Sequence, residues 1–234
     1  MAEKLADILT WEKRYGEAAE IYSSILERSP GNKKVIRKLA ALSSWSDNYE
    51  RALDLYKKIL KEDPDDIDAL LGIGEILLWS KKYAEAMEYL KKAESLDGSD
   101  KIKIRIAETL LYSGRYEEAK GMLGSMMAKS PDDMNIRIMY ANSCAYGKDY
   151  VQAEKMYREI IASGGTSDVR RKLADVLSWD KKYRESISLY DEIFADNGDP
   201  AVGLQKARVL GWAREYDKSL KAYKEIFTAT GDKK

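Results

Sequence analysis

Apolar side chains along the chain recur at three- and four-residue intervals, the spacing of a helix face, rather than alternating as in a strand. The stretch from Leu173 to Tyr190 shows the unit that organises them: one apolar helical face, then Trp179, a short charged turn, Tyr183 and a second apolar helical face. The unit occurs in seven versions. Their tyrosines, Tyr15, Tyr49, Tyr83, Tyr116, Tyr150, Tyr183 and Tyr216, lie 34, 34, 33, 34, 33 and 33 residues apart, an internal period that decides the architecture before any other consideration. Three residues after each tyrosine stands a small side chain (Ala18, Ala52, Ala86, Ala119, Ala153, Ser186, Ser219), and nine residues before it another (Ala6, Ala40, Gly74, Ala107, Ala141, Ala174, Ala207). Small residues at matched places on two neighbouring helices allow close approach. A bulky group seven residues after the tyrosine (Tyr22, Tyr56, Leu90, Leu123, Tyr157, Tyr190, Tyr223) fills the space they leave, and both the repeat tyrosines and the tyrosines of this set read as core.

Breaker residues separate the versions: Pro30-Gly31-Asn32, Asp63-Pro64-Asp65-Asp66, Asp97 to Asp100, Ser130 to Asp133, Ser163 to Ser167 and Asn197 to Pro200. Each stops one helix and supplies caps for the next, since Ser, Thr, Asp and Asn accept free backbone N–H groups. The expected repeats cover about residues 1–31, 32–65, 66–99, 100–132, 133–165, 166–199 and 200–234, forming a single array. The first begins slightly inside its first helix, and the last exposes Leu220, Tyr223, Ile226 and Phe227 with no following helix. Arrays usually end in a polar cap, so flanking sequence, and self-association through uncapped ends, are expected.

The order small residue, turn, Tyr, small residue, aromatic, apolar pair and Pro is met closely in Ala40, Tyr49, Ala52, Tyr56, Ile59-Leu60 and Pro64, and it resembles the tetratricopeptide repeat. The resemblance covers essentially the whole chain, with two departures. The Gly usual two residues before the Tyr survives only as Gly114, and the aromatic usual early in the first helix is replaced by residues such as Ile36, Leu70 and Arg170. The resemblance implies an all-α, right-handed superhelix (an α-solenoid) of about seven antiparallel helix pairs, with the first helix of each pair on the concave side.

Composition narrows the function. Forty basic and forty acidic residues cancel, which argues against a nucleic-acid or anionic-membrane binder, since those need a basic surplus. Histidine is absent and Cys144 is the one cysteine. No nucleophile–histidine pair is available, and carboxylates spread one per repeat do not form a glycosidase cleft or a metal cluster. The chain is expected to be non-enzymatic, with no cofactor and no metal. No apolar run reaches the ~18 residues of a membrane span, and Met1 to Asp7 already reads as repeat sequence rather than signal peptide.

One stripe carries candidate function. Four residues before each repeat tyrosine sits an aromatic: Trp11, Trp45, Trp79, Tyr112, Tyr146, Trp179 and Trp212. In the sixth repeat Val169, Leu173, Val176 and Leu177 make the apolar face, while Asp168, Lys172, Asp175 and Trp179 lie on a separate, polar one. One turn before the aromatic stand Asp7, Ala41, Glu75, Glu108, Asn142, Asp175 and Arg208. Two placements are open: the rings line the groove, or they tuck into the seam against the next repeat. In the groove, Asp7, Glu75, Glu108, Asn142 and Asp175 would join the rings in a binding track. A flat ring beside a hydrogen-bond acceptor suits a pyranose, and repetition suits a polymer through multivalency. The Leu-Ser-Trp signature before Asp180-Lys181-Lys182-Tyr183 resembles arrays of bacterial exopolysaccharide export and synthesis proteins. That resemblance implies a periplasmic module in biofilm polymer export, contacting the polymer, a modifying enzyme or both, with acids favouring a cationic polymer. The alternative is a general protein–protein scaffold, cytoplasmic, holding an extended or helical peptide.

Overall fold

The computed structural model describes residues 1–231; the side chains of residues 197, 229 and 230, and the last three residues of the seventh repeat, lie outside the description. Fourteen helices and no strand are present among the described residues. They fall into two compact units. The first, Met1–Arg115, holds α1 (Ala2–Trp11), α2 (Tyr15–Arg28), α3 (Lys33–Trp45), α4 (Tyr49–Glu62), α5 (Ile67–Trp79), α6 (Tyr83–Leu96) and α7 (Asp100–Tyr112). The second, Tyr116–Lys234, holds α8 (Tyr116–Lys129), α9 (Met134–Tyr146), α10 (Tyr150–Ala162), α11 (Ser167–Trp179), α12 (Tyr183–Asn197), α13 (Pro200–Trp212) and α14 (Tyr216–Thr230). Within each unit every helix packs on its sequence neighbours, and α3 and α7 also touch α5.

The sequence marks the helix ends closely. Every first helix ends on its stripe aromatic and every second helix starts on its repeat tyrosine. Between them the backbone makes the same turn seven times. In the third repeat Lys81 N–H donates to the Leu78 carbonyl and Lys82 N–H to the Leu77 carbonyl, at 3.0 and 2.8 Å. This pair of bonds is the Schellman motif, which satisfies the last carbonyls of a helix and needs one left-handed residue. That residue is Lys13, Asp47, Lys81, Gly114, Lys148, Lys181 or Arg214, all with φ between 57° and 79°. Only Gly114 holds this conformation without a Cβ penalty. At the start of later helices, Asn32, Asn48, Asp66, Asp133, Asp149 and Asp199 each accept a backbone N–H through the side chain.

The core follows the small-against-large rule. Ala6, Ala18, Ala40, Ala52 and Ala86 are fully buried in the first unit, as are Ala141, Ala153, Ala174 and Ala207 in the second. A Cβ on Gly74 would sit 2.7 Å from Leu90, and a Cβ on Gly72 would overlap the Tyr56 ring. Where serine replaces alanine, its hydroxyl is spent internally: Ser186 donates to the Ala174 carbonyl and Ser219 to the Ala207 carbonyl, both at 2.8 Å. Tyr22, Tyr56, Tyr157 and Tyr190 are buried as expected. Tyr223, expected in the core, is exposed, because no helix among the described residues packs over α14 beyond it; Leu220 and Phe227 are exposed with it.

Two stability tests follow from these contacts. Replacing left-handed Lys81 or Lys181 by Gly removes a conformational cost of about 1–2 kcal/mol and adds less than that in chain entropy. Each variant should therefore shift the urea midpoint upward, and a lower midpoint would show that the turn carries no strain. Gly72→Ala should destabilise by about 1–3 kcal/mol through overpacking on Tyr56. Gly121→Ala, at a helix position with nothing within 4 Å, should stabilise by about 1 kcal/mol; equal effects at both sites would contradict the packing described.

Candidate functional site

All seven stripe aromatics are exposed, from 38% for Trp179 to 79% for Trp11. Each is the last residue of its helix, so its ring projects at the helix end instead of over a packed turn. The rings are not isolated. Trp45 leans on Tyr15, the repeat tyrosine of the preceding pair, with centroids 6.1 Å apart. In the second unit Tyr116, Tyr146, Trp179 and Tyr150 form a chain of tilted contacts at 5.9, 6.1 and 6.3 Å. Tilted ring pairs at such distances are mildly favourable. Each of these contacts therefore has a seam component: Trp45 and Trp179 lean on the preceding repeat, while Tyr146 touches Tyr116 of the preceding repeat and Trp179 of the next, and all three stay partly exposed. Burial among these rings pushes the Tyr146 phenol above its ordinary value.

The repeat tyrosines themselves differ from the sequence expectation. They were expected in the core, yet Tyr15, Tyr49, Tyr83, Tyr116, Tyr150 and Tyr183 are half-buried and Tyr216 is exposed. As the first residue of a second helix, each sits at the rim of the turn, where one ring edge packs and the other faces water. Tyr15, Tyr116 and Tyr150 thus belong to the same surface as the tryptophans. Their place directly across the turn from the stripe aromatic is the signal that could have shown it.

The acceptors one turn before the aromatics are half-buried and already have partners inside the protein. Asp7 accepts the Tyr22 hydroxyl at 2.5 Å, Asn142 that of Tyr157 at 2.7 Å and Asp175 that of Tyr190 at 2.5 Å. A buried tyrosine needs a partner for its hydroxyl, and the residue fifteen positions earlier on the paired helix supplies it. Glu75 and Glu108 belong to repeats with Leu90 and Leu123 in place of that tyrosine. There the acids turn to Arg105, at 2.6 and 2.7 Å. Ala41 offers Tyr56 no acceptor of this kind, and burial pushes the Tyr56 phenol up to about 12.

Charge separates the two aspartates. Lys38 reaches Asp7 at 2.6 Å, and its hydrogen bond, with that of Tyr22, holds the carboxyl below its ordinary value. Asp175 has no cation at bonding distance among the described residues, and burial pushes its carboxyl up despite the Tyr190 hydrogen bond. Desolvation likewise drives the Tyr157 and Tyr190 phenols far up, so both remain hydroxyl donors.

Other chemistries find little footing. No group of three metal-ligating side chains occurs among the described residues. Cys144 is buried and its thiol pushed up by desolvation, the opposite of a reactive cysteine. No helix among the described residues is long and apolar enough to cross a membrane.

Comparison with known proteins gives the fold a lineage. No curated protein sequence matches the chain. Among solved structures, a tetratricopeptide repeat protein from Parabacteroides merdae is similar over 83% of this chain and 77% of its own, with a TM-score of 0.68 at 17% identity. The C-terminal part of a tetratricopeptide repeat-containing protein from Cytophaga hutchinsonii covers 97% of this chain and 94% of its own, with a TM-score of 0.71 at 15% identity. YrrB, described as a tetratricopeptide protein with an unusual peptide-binding site, covers 79% and 96%, with a TM-score of 0.60 at 18% identity. The profile of the tetratricopeptide repeat matches residues 46–105 and 110–176, more than half of the sequence, and the chain therefore belongs to the tetratricopeptide repeat family.

Proposed function

We propose that the chain is a non-catalytic protein-binding scaffold whose contact surface is the row of helix-end aromatics. The supporting observation is that all seven rings stay exposed at one structural position, the end of each first helix. Large aromatics are costly to leave in water without use, and Trp and Tyr are enriched among residues that dominate binding energy. The peptide-binding site named for YrrB makes an extended peptide a natural partner for this fold.

A second reading keeps the same rings and changes the ligand. Flat exposed aromatics also suit the apolar faces of sugars, and on this reading the chain serves bacterial exopolysaccharide export or synthesis from the periplasm. The internal partners of Asp7, Glu75, Glu108, Asn142 and Asp175 leave little reason to favour a cationic polymer, so neutral glycans become the better probes.

The two readings separate experimentally. Trp45→Ala with Trp79→Ala should weaken a co-purifying protein partner by about tenfold or more while the melting temperature stays within a few degrees of the parent, because both rings are about half exposed. A collapse of the fold instead would make the rings structural. Titration of tryptophan fluorescence with soluble β-glucans and N-acetylglucosamine oligomers should leave the emission unchanged on the scaffold reading. A saturable blue shift growing with oligomer length would establish the glycan reading in its place.

A further inference from the structure

We infer that the scaffold reads charge at the turns beside Tyr146, Trp179 and Trp212, and that its partner is an extended acidic peptide with apolar side chains at alternate positions. This rests on the aromatic row being the contact surface, and it names the chemistry of what binds there.

The second unit shows the arrangement. Two residues beyond Tyr146, Trp179 and Trp212 stand Lys148, Lys181 and Arg214, all exposed and without an ion pair among the described residues. The acids of the same turns are neutralised: Asp149 by Lys120, Asp180 by Lys182 and Glu215 by Lys218, at 2.5, 2.8 and 2.5 Å. A chain with no net charge therefore presents uncompensated positive charge along this edge. The first unit has the same order in Trp11 with Lys13 and Trp79 with Lys81, while Trp45 is followed by Asp47 and Tyr112 by Gly114.

Backbone conformation is an independent observation. These cations occupy left-handed φ values of 60° to 68°, where glycine is cheapest and lysine has no local reason to be. Strain kept at one surface position in six repeats of seven, by a cation in five of them and by Asp47 in the second, points to a side chain retained for contact.

Ring spacing selects the form of the partner. Tyr146 and Trp179 lie 6.1 Å apart, close to the roughly 6.6 Å covered by two residues of an extended strand. Alternate side chains of an extended peptide would meet Tyr146 and Trp179 in turn, and an intervening acid would face the turn cations Lys148 and Lys181. A nucleic acid would carry more charge than this edge answers, because tight polyanion binding needs a basic surplus that forty acids against forty bases do not supply.

The test uses the full chain and fluorescein-labelled peptides of about ten residues, alternating Asp–Phe, Lys–Phe or Asp–Ser, read by anisotropy. The parent should bind Asp–Phe at least about tenfold tighter than either other peptide. The triple variant Lys148→Gly, Lys181→Gly, Arg214→Gly should lose about tenfold in Asp–Phe affinity and melt no lower than the parent, since glycine suits the turn. Loss of binding with an intact or improved fold cannot be ascribed to unfolding. Equal or tighter binding of Lys–Phe that Trp179→Ala still weakens overturns the charge inference and leaves the aromatic surface standing. Equal binding of Asp–Ser, or displacement of Asp–Phe by poly-uridine at lower concentration, overturns the peptide class. If none of the peptides binds, and the co-purified partner is indifferent to Trp179→Ala, the inference and the aromatic reading fall together.

Discussion

Two backbone hydrogen bonds at the end of each first helix underlie the rest of the structure. They close a turn of fixed length, so the residue that ends one helix and the residue that starts its partner meet at one corner. The ring at that helix end cannot reach the interior, and the tyrosine that opens the next helix only half reaches it. The turn also requires one left-handed residue, and six of the seven turns place a charged side chain there. A surface of rings and charges is thus a by-product of how the helix pair closes, repeated wherever the pair is repeated.

Inside the pair, the constraint is complementarity of size with one polar debt. Alanines and glycines let the helices approach, and the bulky group seven residues after the repeat tyrosine fills the gap. When that group is tyrosine, its hydroxyl arrives in a dry place and must be answered. Asp7, Asn142 and Asp175 answer it. The polar stripe of the first helix therefore serves the protein's own core, which moves the free chemistry away from the acids and onto the rings and turns.

Much of this was legible in the sequence. The period placed the helix pairs, and the Trp and Tyr landmarks fall on helix ends because those ends are where the turn locks the register. Trp179 and its counterparts, for which the sequence leaves groove and seam open, are exposed in the structure. Three things did not read through. The Tyr–acid bonds join residues fifteen apart on antiparallel helices, and one-turn spacing along a single helix does not reveal them. Tyr116 and Tyr150 looked like core because large rings at a fixed place usually are, whereas a corner position buries only one edge. The turn cations were visible only as the missing glycine two residues before every repeat tyrosine but Tyr116, a departure whose meaning is conformational and appears once φ is known.

Arg105 has a consequence for how such chains can be rearranged. It holds Glu75 from the third repeat and Glu108 from its own, so three side chains form one ion cluster across a repeat boundary. Asp175 and Tyr190, by contrast, complete their bond inside a single repeat. Exchange or duplication of repeats, in evolution or in the laboratory, then meets two grammars in one molecule. The Tyr190–Asp175 bond travels with the sixth repeat, whose Lys182 and Glu185 pair with Glu154 and Arg158 of the fifth only at the surface, while the third and fourth must be moved as a phrase or leave an acid without its base.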